Sequence, residues 1–157
     1  MTRILFVCLG NICRSTMAEF VCKDMAQKRG MEKELFIASA GTSSCEVGSP
    51  VHRGTREKLW EHGIACDGKR AVQLQKSDYQ KYDLIIGMET QNIRNMQSLF
   101  GGDSDNKIYL LLDFTSRGGN ISDPWYTGNF ESTWQDVTAG CAGLFDMLCA
   151  KKAQPHD

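Results

Sequence analysis

The stretch Ile4-Leu5-Phe6-Val7-Cys8-Leu9-Gly10-Asn11-Ile12-Cys13-Arg14-Ser15-Thr16-Met17-Ala18-Glu19 decides how the rest of the chain is read. Residues 4–8 form an unbroken apolar run of strand length, the pattern of a strand buried on both faces. From Thr16 the period changes. Thr16-x-x-Glu19 has the form of a capping box, and Ala18, Val21, Cys22 and Met25 recur at helical spacing until Gly30. A strand, a short loop containing Gly10 and Asn11, and then a helix make the opening unit of a parallel α/β sheet.

The unit repeats along the chain. Residues 35–39 predict a second strand, and Ser49-Pro50 has the form of an N-cap and first helical residue of a helix that Gly63 closes. Residues 83–88 predict a third strand. Thr90 caps a helix with Ile93, Met96 and Phe100 on one face, stopped by Gly101-Gly102, and residues 107–112 predict a fourth strand. Residues 113–129 carry Gly118, Gly119, Pro124 and Gly128 without a clean period and are expected to form a long loop, of the kind that usually carries function. Trp134, Val137, Cys141, Leu144, Phe145 and Leu148 mark a closing amphipathic helix. The expected architecture is α/β: one domain over 1–157, with a four-stranded parallel sheet flanked by helices on both faces.

Composition excludes several classes. Of the 157 residues, 41% are hydrophobic and 24% charged, which is the balance of a globular domain and not of a disordered or collagenous chain. Eighteen Lys+Arg against nineteen Asp+Glu leave a net charge of -1, so no overall field draws the chain to nucleic acid or to an anionic membrane. No apolar stretch approaches the ~20 residues of a membrane-spanning helix. The first residues could pass for a signal peptide, but Asn11 and Arg14 interrupt the apolar region and no small-residue cleavage site follows, so a buried first strand is the better reading. Seven cysteines, an odd number in a chain of this size, point to a reducing cytoplasm. His52, His62 and His156 have no ligand spacing and no Cys-x2-Cys occurs, so no metal is expected. His62 is placed to meet a helix C-terminal dipole, and Lys151 and Lys152 read as a solvated tail.

The chemistry is concentrated in residues 8–15. A loop from the carboxyl end of a strand to the amino end of a helix is where α/β sheets bind ligands. Its successive N–H groups form a concave nest, and the helix dipole adds positive charge, so the loop suits a dianion. Gly10 and Asn11 tolerate the positive φ that a nest needs. Cys8 at its floor is expected to have a lowered pKa and to be a nucleophile. Arg14, six residues on, can fold back so that its planar fork meets two phosphate oxygens, a role Lys cannot fill. In the long loop, Asp123-Pro124-Trp125-Tyr126 offers a proton donor for a leaving group, with the two aromatics expected to wall it with apolar surface.

The residues Val7–Ser15, Ala18-Glu19, Ser39-Ala40-Gly41-Thr42 and Asp123-Pro124 resemble the low-molecular-weight protein-tyrosine phosphatases, in the right order and over essentially the whole chain. The resemblance implies a flavodoxin-like winding and hydrolysis of phosphotyrosine and small aryl phosphates through a cysteinyl-phosphate. Cys8 would be the nucleophile, Arg14 the transition-state clamp and Asp123 the general acid and base. Leu9, Gly10, Asn11, Ile12, Cys13, Arg14 and Ser15 would bind phosphate. Asn11, Ser15 and Ser39 would hold the loop in shape, and Ile12, Cys45, Trp125 and Tyr126 would line the substrate pocket. Cys13 would be a redox partner of Cys8 through a reversible disulfide, whereas Cys22, Cys141 and Cys149 fall on core faces and Cys45 and Cys66 in loops, where exposure is expected. No cofactor is implied. The partners would be phosphotyrosine-containing proteins, with phosphate, vanadate and other oxyanions as inhibitors, and the chain a monomer.

The chain departs from the family pattern at Thr16, where Pro is common, and at Cys45, where an aromatic is common. Lys69 stands for a His of the Asn-Ser network and Val72 for a nearby Arg. Ile12 separates the chain from a related branch with Thr there that resembles protein-arginine phosphatases. Two other functions fit the same loop. An arsenate reductase would need two further redox cysteines near the third strand, and residues 70–112 contain no Cys. A non-catalytic phosphopeptide-binding module would need neither Cys8 nor Asp123.

Overall fold

The computed structural model describes residues 1–153; His156 and the side chain of Lys152 lie outside the described residues. The elements are β1 (Thr2–Cys8), α1 (Arg14–Lys28), β2 (Leu35–Gly41), α2 (Arg53–Glu61), α3 (Asp78–Lys81), β3 (Leu84–Gly87), α4 (Thr90–Phe100), β4 (Ile108–Leu110), a 3-10 turn (Leu111–Phe114), α5 (Pro124–Thr127) and α6 (Phe130–Ala153). The four strands make one parallel sheet in the order β2-β1-β3-β4.

The reason for this order lies in β1. Ile4, Leu5, Phe6, Val7 and Cys8 are all at most 3% exposed, as expected of a central strand covered on both sides. Side chains alternate across a strand, so Ile4, Phe6 and Cys8 enter one cluster with Met17, Val21, Leu144 and Phe145 of α1 and α6. Leu5 and Val7 enter a second cluster with Ile85 of β3 and Met96 of α4. Burying each large aliphatic or aromatic side chain is worth roughly 1.5–3 kcal/mol. The chain runs from β1 outward to β2 and then crosses to β3 and β4. The carboxyl ends of β1 and β3 therefore diverge at a switch point, which leaves the crevice where such sheets bind ligands.

Five local expectations are corrected. Thr16 and Glu19 form no capping box: α1 begins at Arg14, Thr16 Oγ1 donates back to the Cys13 carbonyl at 3.0 Å, and Glu19 turns to Ser39. Ser49-Pro50 does not start α2. Ser49 Oγ donates to Glu46, Pro50 bridges to Arg70 as extended chain, and His52 is the N-cap. Thr90 is the first residue of α4 and not its cap; Glu89 caps, with Asn92 Oδ1 accepting from the Glu89 N–H at 3.0 Å. Residues 113–129 are not all loop, since the end of the 3-10 turn and the single-turn α5 fall within them. Cys66, expected to be exposed, is instead buried at 8% exposure, and burial raises its thiol pKa. Cys22 and Cys141 are fully buried, Cys149 half-buried and Cys45 exposed, as their positions imply.

Candidate active site

The loop from Cys8 to Ser15 is tied down by its carbonyls. Those of Cys8 and Leu9 accept from the N–H groups of Thr42 and Ser43 at 2.9 Å each, and that of Ile12 from the N–H of His52 at 2.9 Å. The Cys13 carbonyl accepts from Thr55 Oγ1 at 3.1 Å. Asn11 sits at φ 59°, the left-handed conformation the turn requires. Gly41 is needed for space: a Cβ there would stand 2.8 Å from the Leu9 carbonyl oxygen and 3.0 Å from the Asn11 nitrogen, so the loop lies directly on the end of β2.

A buried polar network sets the loop's shape. Asn11 Nδ2 donates to Ser15 Oγ and to Ser39 Oγ, both at 2.9 Å, while its Oδ1 accepts from the Val72 N–H at 3.0 Å. Ser15 Oγ in turn lies 2.9 Å from Cys8 Sγ. Ser39 Oγ donates to Glu19 Oε1 at 2.6 Å. Lys69 Nζ donates to the Ser39 carbonyl at 3.0 Å and pairs with Glu19 Oε1 at 3.5 Å. Lys69 thus enters the network with a charged donor, and Val72 enters through its backbone. Sequence reasoning missed this role of Glu19, which it marked only as a capping-box residue and, with Ala18, as part of the resemblance.

Arg14 is 1% exposed, and a charge so buried must be paired. Its Nη1 donates to the Ile121 carbonyl at 3.0 Å and lies 3.1 Å from Glu89 Oε2, and its Nη2 lies 3.3 Å from Asp123 Oδ2. Asp123 caps α5, with Oδ1 accepting from the Trp125 N–H at 3.0 Å and Pro124 fixing the first turn. The expected apolar wall around Asp123 is not closed, because Trp125 and Tyr126 are 57% and 78% exposed and the carboxylate faces Arg14. Glu89 was not foreseen; no local signal marks it, since its role comes from the position of β3 beside β1.

These groups surround one pocket of about 200 Å³. It is lined by the buried Cys8, Cys13 and Arg14 with Asp123, by Leu9, Gly10 and Ile12 of the loop, and by Glu46 and the exposed Cys45, Trp125 and Tyr126. Ser15, Asn11 and Ser39 lie behind it. Burial, reinforced by the charge of Cys8, pushes the Cys13 thiol up to about 12, so Cys13 is held as a neutral thiol beside the floor.

A sheet of this order with Cys, Arg and Asp gathered at its switch point defines an α/β enzyme acting on a phosphate-sized anion. Residues 3–154 match the family profile described as low molecular weight phosphotyrosine protein phosphatase. The low molecular weight protein-tyrosine-phosphatase YfkJ of Bacillus subtilis is 40% identical, with 97% of this chain and 99% of that protein covered. Its crystal structure superimposes with a TM-score of 0.94 over 98% of both chains. The crystal structure of SP-PTP, the low molecular weight protein tyrosine phosphatase from Streptococcus pyogenes, gives 0.85 at 40% identity over 97% and 96%. PtpA of Staphylococcus aureus is 34% identical over 94% of each chain. The chain belongs to the low molecular weight protein-tyrosine phosphatases and is a phosphatase enzyme.

Proposed function

We propose that this phosphatase hydrolyses phosphotyrosine on proteins through a Cys8 phosphoenzyme. The observation that carries the proposal is the convergence of Cys8, Arg14 and Asp123 on one pocket, with Arg14 3.3 Å from Asp123 and Cys8 2.9 Å from Ser15. With the loop carbonyls turned outward to residues 42–55, the N–H groups of residues 9–15 are left to face the phosphate oxygens. Arg14 clamps two equatorial oxygens as charge redistributes in the transition state.

In the first displacement Cys8 Sγ attacks phosphorus in line, the bond from phosphorus to the tyrosyl oxygen breaks, and Asp123 gives that oxygen its proton. In the second, the Asp123 carboxylate takes a proton from water, whose oxygen attacks phosphorus; the P–S bond breaks, orthophosphate leaves and the Cys8 thiolate is restored. Two displacements return every group to its starting state without a cofactor. Ser15, Asn11, Ser39, Glu19 and Lys69 keep the sulfur and the loop in place.

The pocket favours a flat aryl ester over a short alkyl one. Ile12 and Trp125 provide apolar surface at the height of an aromatic ring, while a phosphoserine would leave that surface wet. Phosphate and vanadate compete for the same cradle. The proposed working form is a cytoplasmic monomer, and no helix among the described residues is long and apolar enough to cross a membrane. The test is hydrolysis of p-nitrophenyl phosphate in the presence of EDTA, with acid-quench trapping of labelled phosphoenzyme. Wild type should turn over and trap label, and Cys8→Ser should do neither; turnover by Cys8→Ser would overturn the mechanism.

A further inference from the structure

His52 joins the two halves of the site, and neither the phosphate loop nor the acid segment contains it. Its backbone N–H donates to the Ile12 carbonyl at 2.9 Å, which fixes it to the phosphate loop. Its Nδ1 accepts from the Gly54 N–H at 3.0 Å, which makes it the N-cap of α2 and fixes its ring. The fixed imidazole stacks on Phe130, the first residue of α6, at 5.2 Å and 19°, and meets the edge of Trp125 at 5.5 Å and 75°. Phe130 in turn lies so close over the first turn of α2 that a Cβ at Gly54 would overlap its ring.

Trp125 is the handle of the acid. Its backbone N–H is the donor to Asp123 Oδ1 at 3.0 Å, Trp125 lying in the single turn of Pro124–Thr127 and Asp123 capping it. One turn of helix has little stability of its own, and Trp125 is 57% exposed, so core packing does not hold it. Arg14 restrains the segment from the sheet side, through the Ile121 carbonyl and Asp123. On the α2 side the restraint is the His52 ring. Aromatic edge-to-face and stacked pairs hold geometry of this kind, and small displacements of a proton donor cost rate steeply.

We propose that His52 is a positioning residue for the general acid: its ring, locked by capping α2, sets the place of Trp125 and through it the carboxyl of Asp123. The inference rests on Asp123 being the acid. The test separates capping from stacking and acid delivery from folding. His52→Asn keeps an acceptor for Gly54 but removes the ring, while His52→Phe keeps a ring and removes the cap. For each, kcat/KM is measured on a series of aryl phosphates running from dinitrophenyl to phenyl, with the vanadate inhibition constant as the check on the phosphate loop.

His52→Asn should lose about 10-fold on phenyl phosphate and little on dinitrophenyl phosphate, whose leaving group needs no proton, with vanadate affinity within about twofold of wild type. His52→Phe, whose ring is no longer locked by the cap, should recover only part of the loss on phenyl phosphate while lowering the melting temperature. A uniform loss across the series, or a leaving-group dependence equal to wild type, overturns the proposal. Asp123→Asn run beside them tells which idea has failed: if it too leaves the dependence unchanged, Asp123 is not the acid and both fall, whereas a steep dependence in Asp123→Asn alone removes only His52.

Discussion

Glu89 and Arg14 meet at 3.1 Å across the carboxyl ends of β3 and β1, the acid at the N-cap of α4 and the cation in the first turn of α1. The pair explains how a guanidinium can be 1% exposed and still be aimed at a pocket: one side of its fork is held by Glu89 and the Ile121 carbonyl, leaving the other toward Asp123 and the substrate. Glu89→Gln should lower kcat by roughly 10-fold, because the fork is less firmly aimed, without weakening vanadate inhibition. Steady-state kinetics with vanadate competition checks both parts, and unchanged kcat would mean that Arg14 needs no such anchor.

Arg14→Lys removes the planar fork and keeps the charge. The expected loss is about 10²- to 10³-fold in kcat, the size seen when a transition-state donor is taken away. A Lys variant within a few-fold of wild type would show that charge alone suffices.

Asp123→Asn should cut kcat/KM on phenyl phosphate by about 10²- to 10⁴-fold. Phosphoenzyme should still form from dinitrophenyl phosphate, since that leaving group departs unprotonated. Rapid-quench trapping measures it directly, and equal losses on both substrates would remove the acid role.

The Cys13 thiol, pushed up to about 12, stays protonated at neutral pH, so iodoacetamide should label the exposed Cys45 and leave Cys13 unmodified in native protein at pH 7.5. For an acid whose folded pKa is raised, the stabilisation is complete below the unfolded value, 9.0, and is lost as pH rises toward 12. Denaturant titrations over pH 9–12 should fall less steeply in Cys13→Ala than in wild type; parallel curves would contradict the burial argument.

Lys69→Met leaves the buried Glu19 with Ser39 and Lys23 as partners but takes away the donor to the Ser39 carbonyl. A loss of about 1–3 kcal/mol in stability is expected, with activity falling as the Asn11–Ser15 hub loosens. Chemical denaturation alongside kinetics tests it; a variant of unchanged stability would make Lys69 a surface residue.

The sequence was most legible where one residue type answers one physical demand. Residues 4–8 read as a central strand because only a strand covered on both faces is apolar at every position, and Cys8, Arg14 and Asp123 stood out because few other demands put those groups there. It was least legible where a role depends on what another segment brings. Thr16 and Glu19 looked like a cap, but the phosphate loop runs straight into α1 at Arg14 and Ser39 claims the carboxylate. Pro50 looked helical until its pairing with Arg70 drew it out as extended chain. Nothing near Glu89 announces Arg14, whose meeting is made by the sheet order, and nothing near His52 announces Trp125, which a segment more than seventy residues on brings to it.

Arg14 and Asp123 are 109 residues apart in sequence. The loop carbonyls and Asn11 find their partners at or before residue 72, whereas the anchors of Arg14, Glu89 and Ile121, and the carboxylate of Asp123 all come from the end of β3 onward. The site is complete only when stretches far apart in sequence meet, and closing so long a span costs chain entropy that nearer contacts do not. A chain ending before β3 would therefore carry the residues of the cradle without the groups that aim its cation or stand opposite it.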